Sequence, residues 1–174
     1  RINSLNFTSD SKFLYSASLD GRVYKWDLSS KSGSNIGTET DRINSIDMTS
    51  NGNYLAGITA DNRVVIWDPE NYSDNYRIET GQKDIRVIRF KPDGNILAIG
   101  NAEGTVELWD VSSRKIMTQV KAHAAQVNDI RFNPVFSQMA TAGNDNYIRI
   151  YNAKDINSLT EPPITISDNE ANVS

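Results

Sequence analysis

The sequence repeats itself along its whole length. Trp26-Asp27, Trp67-Asp68, Trp109-Asp110 and Tyr151-Asn152 stand 41, 42 and 42 residues apart. A second column, Phe7, Met48, Phe90 and Phe132, keeps the same spacings of 41, 42 and 42. Two columns in register define a tandem array of four units, 1–41, 42–83, 84–125 and 126–174. A unit this short cannot close a core alone, so each must bury its faces against its neighbours.

Each unit reads as four short strands. The first are expected at Ile2–Phe7, Ile43–Met48, Ile85–Phe90 and Val127–Phe132. They lead into turns such as Asn51-Gly52 and Asp93-Gly94, dipeptides that tolerate positive φ in tight hairpins. Second strands follow at 13–18, 54–59, 96–100 and 138–142, each ending at a tight turn: Asp20-Gly21, Asp61-Asn62, Glu103-Gly104 and Asp145-Asn146. The third strands, RVYKWD, RVVIWD, TVELWD and YIRIYN, carry apolar residues on both parities, as a sheet covered on both faces requires. The fourth, at 36–40, 76–80, 115–121 and 164–167, are the least regular and suit an outer edge. The polar stretches 29–34 and 70–75 before two of them read as solvated loops. No segment has helical periodicity, so the expected class is all-β.

Composition removes several functions. The 18 Lys and Arg against 22 Asp and Glu give a net charge of −4, without the cationic stripe that a nucleic-acid backbone attracts. No unbroken apolar run approaches the ~20 residues of a membrane-spanning helix. With no Cys there is neither a disulfide framework nor a thiol nucleophile, and a single His leaves little for a His-based metal site. No metal or cofactor is expected. Asn6-Phe7-Thr8, Asn71-Tyr72-Ser73 and Asn172-Val173-Ser174 match the N-glycosylation pattern, which is short enough to arise by chance. The compartment stays open, with the cytoplasm favoured, and a chain that opens on Arg1 is expected to be part of something longer.

Four-stranded units of about 40–45 residues ending in Trp-Asp resemble the WD-repeat proteins. That resemblance covers almost the whole chain. It implies a β-propeller of four-stranded antiparallel blades, four of them here, forming a partial ring or half of an eight-bladed one. It also implies a relay of His, Ser or Thr, Asp and Trp inside a blade. Carried over by position, the fourth unit supplies His123, Thr141 and Asp145, with Tyr151 in place of Trp. The first supplies Ser16, Asp20 and Trp26. The second keeps Asp61 and Trp67 but has Gly57 and Glu39 at the other positions. The third keeps Trp109 with Glu103, Ile99 and Gly81, so apolar packing is expected to hold units two and three. His123 is therefore read as structural rather than as a catalytic base.

The family's usual role is a non-catalytic protein-interaction scaffold, and positions that break the repeat carry its specificity. By analogy, partners would dock where the chain enters each first strand, at Arg1, Arg42, Asp84 and Gln126. Asn3, Asn44, Arg86 and Asn128 come next, followed by Leu19, Ala60, Ala102 and Asn144 ahead of the turn acid. Arg1, Arg42 and Arg86 are the expected contacts, since Arg is enriched at interface hot spots. Lys25 stands where the other units have Ile66, Leu108 and Ile150, and must reach water or a carboxylate. Four blades fall short of the usual ring, which a second copy in a homodimer, or sequence beyond this chain, would complete. The alternatives are a propeller enzyme, hydrolase or quinone-dependent dehydrogenase, drawing on Asp47, Asp84, Arg86, Arg89, Asp129 and Arg131, and a ligand sensor using the central channel.

Overall fold

A computed structural model describes residues 1–71, 75–154, 159 and 164–167. Two of the three glycosylation patterns fall wholly or partly outside these residues. In the third, Asn6 is half-buried and its Nδ2 donates to Asp47 Oδ1 at 3.3 Å. All regular structure among the described residues is β, so no helix there is long and apolar enough to cross a membrane.

The chain divides into two compact units, Arg1–Gly81 and Gln82–Ser174. In the first, β1 (Ile2–Phe7), β2 (Phe13–Ser18), β3 (Arg22–Asp27) and β4 (Ser32–Thr38) form one antiparallel meander. Its second meander is β5 (Ile43–Met48), β6 (Leu55–Thr59), β7 (Val64–Trp67) and β8 (Asn75–Ile78). The second unit has β9 (Ile85–Phe90), β10 (Ile96–Asn101), β11 (Thr105–Asp110) and β12 (Lys115–Lys121). Its other sheet is β13 (Val127–Phe132), β14 (Gln138–Gly143), β15 (Tyr147–Asn152) and β16 (Ile164–Ser167). Within the first unit β5 packs on β1 and β2, and within the second β13 packs on β9 and β10.

Packing follows the two-sided pattern of the third strands. In the first unit Val23 and Ile36 of one sheet meet Ile43, Ile46 and Trp67 of the next. In the second, Val106, Leu108 and Val120 meet Val127, Ile130 and Tyr151 in the same way. Val23, Val106 and Leu108 lie on one parity of their strands and Trp67 and Tyr151 on the other, so both parities of the third strands pack.

The acid of each Trp-Asp pair has a local task. Asp27 Oδ1 accepts from the backbone N–H groups of Ser29 and Ser30, at 2.8 and 3.0 Å, and from the Ser29 hydroxyl. Asp68 accepts from Glu70 and Asn71 N–H, Asp110 from Ser113 N–H and the Ser112 hydroxyl, and Asn152 from Lys154 N–H. These are Asx turns, in which the side chain replaces the missing backbone acceptor of a tight bend. The hydrogen bonds hold the Asp27 and Asp110 carboxyls below the usual range.

Most strand boundaries lie within two residues of expectation, and one start moves by four. The fourth strand of the first sheet begins at Ser32 rather than at residue 36, because Lys31, at φ +56°, closes the turn at once and lets Ser32 pair with Asp27. The polar residues 32–35 are exposed, yet their backbones pair with β3. Polarity reported side-chain solvation there, not the course of the chain.

Candidate functional site

Every first strand carries a bulge at its second residue. Ile2 pairs with Ser18 and Ser4 with Ala17, which leaves Asn3 as the extra residue. The same shift sets out Asn44, Arg86 and Asn128. An extra residue leaves the ladder and turns its side chain away from the packed face. Beside each bulge, one backbone bond ties the lead-in residue to the residue ahead of the next turn. Leu19 N–H donates to Arg1 O at 2.9 Å and Ala60 to Arg42 at 2.8 Å; Ala102 donates to Asp84 at 2.9 Å and Asn144 to Gln126 at 2.8 Å. The three columns singled out in the sequence therefore lie side by side in each sheet.

Their side chains differ between the two units. In the first, Arg1, Asn3, Arg42 and Asn44 are exposed, and Asn3 Nδ2 donates to Ile43 O at 3.2 Å. In the second, Gln126 Nε2 donates to Asn128 Oδ1 at 3.0 Å, and Asn128 Nδ2 to Asn144 Oδ1 at 2.6 Å. Asp84 and Arg86 are exposed, and Asp84 holds φ +51°, a left-handed conformation that Asp tolerates better than most residues. Among the described residues, Arg1, Arg42 and Arg86 form no side-chain hydrogen bond or ion pair.

The relay expected in the fourth sheet assembles as far as its acid. Thr141 Oγ1 lies 2.9 Å from His123 Nε2, and His123 Nδ1 lies 2.8 Å from Asp145 Oδ1. Arg149 Nη1 also lies 2.6 Å from His123 Nδ1, so Thr141 meets one ring nitrogen while Asp145 and the guanidinium converge on the other. Ala124 N–H and Arg149 Nη1 donate to Asp145 Oδ2 at 3.0 and 2.7 Å. Tyr151 is fully buried and does not join: its hydroxyl has no hydrogen-bond partner among the described residues. In the first sheet Trp26 Nε1 donates to Ser16 Oγ at 2.8 Å, while Asp20 caps its own turn by accepting from Arg22 N–H.

Burial alone pushes the Asp145 carboxyl up. The hydrogen bonds from Arg149, Ala124 and His123 outweigh it and hold the group well below the ordinary carboxylate range. The stability it contributes is complete above the unfolded carboxyl value of about 3.9, and is lost as pH falls toward the depressed folded value. Wild-type protein should therefore exceed Asp145→Asn in stability at neutral pH by roughly 2–4 kcal/mol, since the substitution breaks a largely buried pair. Urea midpoints should show that gap narrowing from about pH 4 downward. A gap that does not change with pH would refute the assignment.

Units two and three are not held by apolar packing alone. Buried Glu107 accepts the Trp109 indole N–H at 2.8 Å, replacing the missing hydroxyl from within the same strand. Buried Glu39, at the His position, pairs with Arg77 at 2.7 Å. Both acids occupy otherwise covered places, and a charge there was the available signal; Arg149 shares the repeat position of Glu107. Glu107→Ala should cost about 1–3 kcal/mol for the orphaned indole N–H, whereas Glu107→Gln keeps an acceptor and should cost clearly less in the same denaturation assay.

Three of the six charged residues considered for an enzyme pair with one another. Arg89 and Arg131 both pair with Asp129, at 3.3 and 2.9 Å, and Asp47 accepts from Asn6. Lys25 meets a carboxylate: its Nζ lies 2.8 Å from Glu70 Oε1 and 4.4 Å from the centroid of the Phe13 ring.

Comparison with known proteins places this architecture. The WD domain, G-beta repeat model matches residues 1–27 and 31–68, and the anaphase-promoting complex subunit 4 WD40 domain model matches 74–135. No curated protein sequence matches the chain significantly. Among solved structures, a chain in the crystal structure of a mitotic checkpoint complex aligns over 95% of this chain and 51% of its own, with a TM-score of 0.81 at 21% identity. The Cps50 (Swd1) β-propeller domain of Myceliophteria thermophila aligns over 94% of this chain and 56% of its own, with a TM-score of 0.75 at 16% identity. The chain thus spans about half the length of both, and at these identities the likeness concerns the fold alone. Two family models, four Trp-Asp-type meanders and the propeller likeness agree, and the chain belongs to the WD-repeat family.

Proposed function

We propose that this chain is a non-catalytic scaffold that docks a protein partner through residues displayed where the first strands of each unit begin. The observation that carries this reading is the bulge shared by all four first strands, which sets Asn3, Asn44, Arg86 and Asn128 outside the ladder beside the lead-in residues. WD-repeat propellers generally bind proteins, and a rigid sheet that presents unpaired guanidinium groups suits that use. Arg42 in the first unit and Arg86 in the second are the anchors, with Arg1 as a polar companion in the first and Asp84, Gln126 and Asn144 in the second. No step of chemistry is assigned to them.

The test is proximity crosslinking in the cells of origin, comparing wild type with Arg42→Glu and Arg86→Glu. Both residues are exposed, so unfolding midpoints should move by no more than about 0.5 kcal/mol. Proteins crosslinked to wild type should fall at least roughly tenfold with either variant, as loss of a hot-spot side chain requires. Unchanged crosslinking to both variants would remove these residues as docking anchors.

A further inference from the structure

In the first unit a cation stands where other sheets bury an aliphatic residue. Lys25 on β3 takes the repeat position of Ile66 and Leu108, both fully buried. Its side chain is only 12% exposed and reaches from the first sheet to the second, where Nζ meets Glu70 Oε1 at 2.8 Å. The ammonium stands over the Phe13 ring, 4.4 Å from its centroid, and Phe13 in turn packs on the core of that unit.

In the second unit the equivalents of Phe13 and Lys25 are Ile96 and Leu108, and both belong to the core. In the first, a cavity of about 230 Å³ lies at this place between the two sheets of one unit. Phe13, Tyr15 and Lys25 line it from one sheet, and Asn51, Asn53 and Glu70 from the other. Thr8, which follows β1, also borders it, so the cavity lies at the opposite end of that strand from Arg1 and Asn3.

A largely buried ammonium needs an anion beside it. Glu70 meets that need from water: its side chain is 81% exposed and can turn away when another carboxylate arrives. Asp10 also lines the cavity, its Oδ1 accepting from the Thr8 hydroxyl and Lys12 N–H. One ammonium beside these two carboxylates accommodates a single added negative charge and repels a dianion such as phosphate. The Phe13 ring supplies an apolar surface next to that charge, and the amides of Asn51 and Asn53 supply hydrogen-bonding groups. The volume falls below the ~300 Å³ at which sites for drug-sized ligands begin, which suits a small organic acid.

The geometry points to a binding site for a small monocarboxylate with an apolar body. Its carboxylate takes the place of Glu70 at the Lys25 ammonium, and its body lies against Phe13 and Tyr15.

Benzoate is the probe, titrated into isotopically labelled protein and followed by nuclear magnetic resonance. It should saturate with a Kd of about 1 mM and shift the backbone amides of Phe13, Lys25 and Asn53 together. Benzamide, which lacks the charge, should bind at least about tenfold more weakly. Lys25→Met keeps the aliphatic character that other repeats carry here, so it should fold, and should lose at least about tenfold in benzoate affinity. Glu70→Gln removes the resident carboxylate from an exposed position and should tighten benzoate binding by roughly threefold or more, the opposite sign. If Lys25→Met does not fold, Glu70→Gln decides alone. A wild type with no saturable shift, Lys25→Met with wild-type affinity, benzamide binding as well as benzoate, or unchanged or weaker binding by Glu70→Gln would each overturn the assignment.

Discussion

Alanine at Gly104 is expected to destabilise the protein by at least about 3 kcal/mol, a cost seen only where backbone has no room to yield. Gly104 holds φ +87°, and a Cβ there would stand inside the carbonyl oxygens of His123 and Ala125. Those oxygens cannot retreat, because His123 N–H donates to Gly104 O at 2.9 Å and the His123 ring is fixed by Thr141 and Asp145. The substitution would pull apart a turn and a relay together. Gly52→Ala is the control: its φ is +76°, but nothing lies within 4 Å of the added carbon. It should cost only the ~1–2 kcal/mol of a left-handed alanine. Urea midpoints of the two variants decide the matter, and equal losses would show that conformation rather than contact sets the cost.

Trp67→Ala should be comparably severe, about 3–5 kcal/mol, the range for emptying a large core site. Trp67 is fully buried, and its indole lies across Gly37 and Gly57. A Cβ on Gly57 would meet ring carbons at 2.7 and 2.8 Å. With no side chain at Gly57 the indole lies close against its backbone, whereas in the first sheet Ser16 stands at that position and accepts the Trp26 N–H. The Trp67 N–H has no partner among the described residues, so it adds nothing that phenylalanine would forfeit. Trp67→Phe should recover most of the alanine loss in chemical denaturation. If phenylalanine proves as damaging as alanine, the indole N–H has an acceptor after all.

The fold was legible because two independent constraints share one period. The strand pattern and the Trp-Asp column both recur every 41 or 42 residues, and all four first strands fall at the residues that the apolar column indicated. Boundaries failed where a turn, not a strand, made the decision. Lys31 adopts φ +56° without being glycine, and nothing in its side chain announces that. The relay of the fourth sheet was readable because His, Thr and Asp stand at fixed offsets. Glu107 was missed as an acceptor because it reaches Trp109 from two residues away on the same strand, outside the family's spacing. The surface columns were readable as positions, but the bulge that groups them was not. It arises from a one-residue mismatch between paired strands, a relation that no single strand contains.

That mismatch separates two demands that usually compete at one residue. In every first strand the backbone bond beside the bulge and the apolar residues on either side hold the sheet, while the extra residue has no packing duty. Asn and Arg already occupy this place interchangeably across the four repeats. A lineage could therefore rewrite all four displayed side chains, one mutation at a time, and retain the same folded frame at each step. Partner choice can drift quickly on such a protein while its thermal stability stays nearly constant.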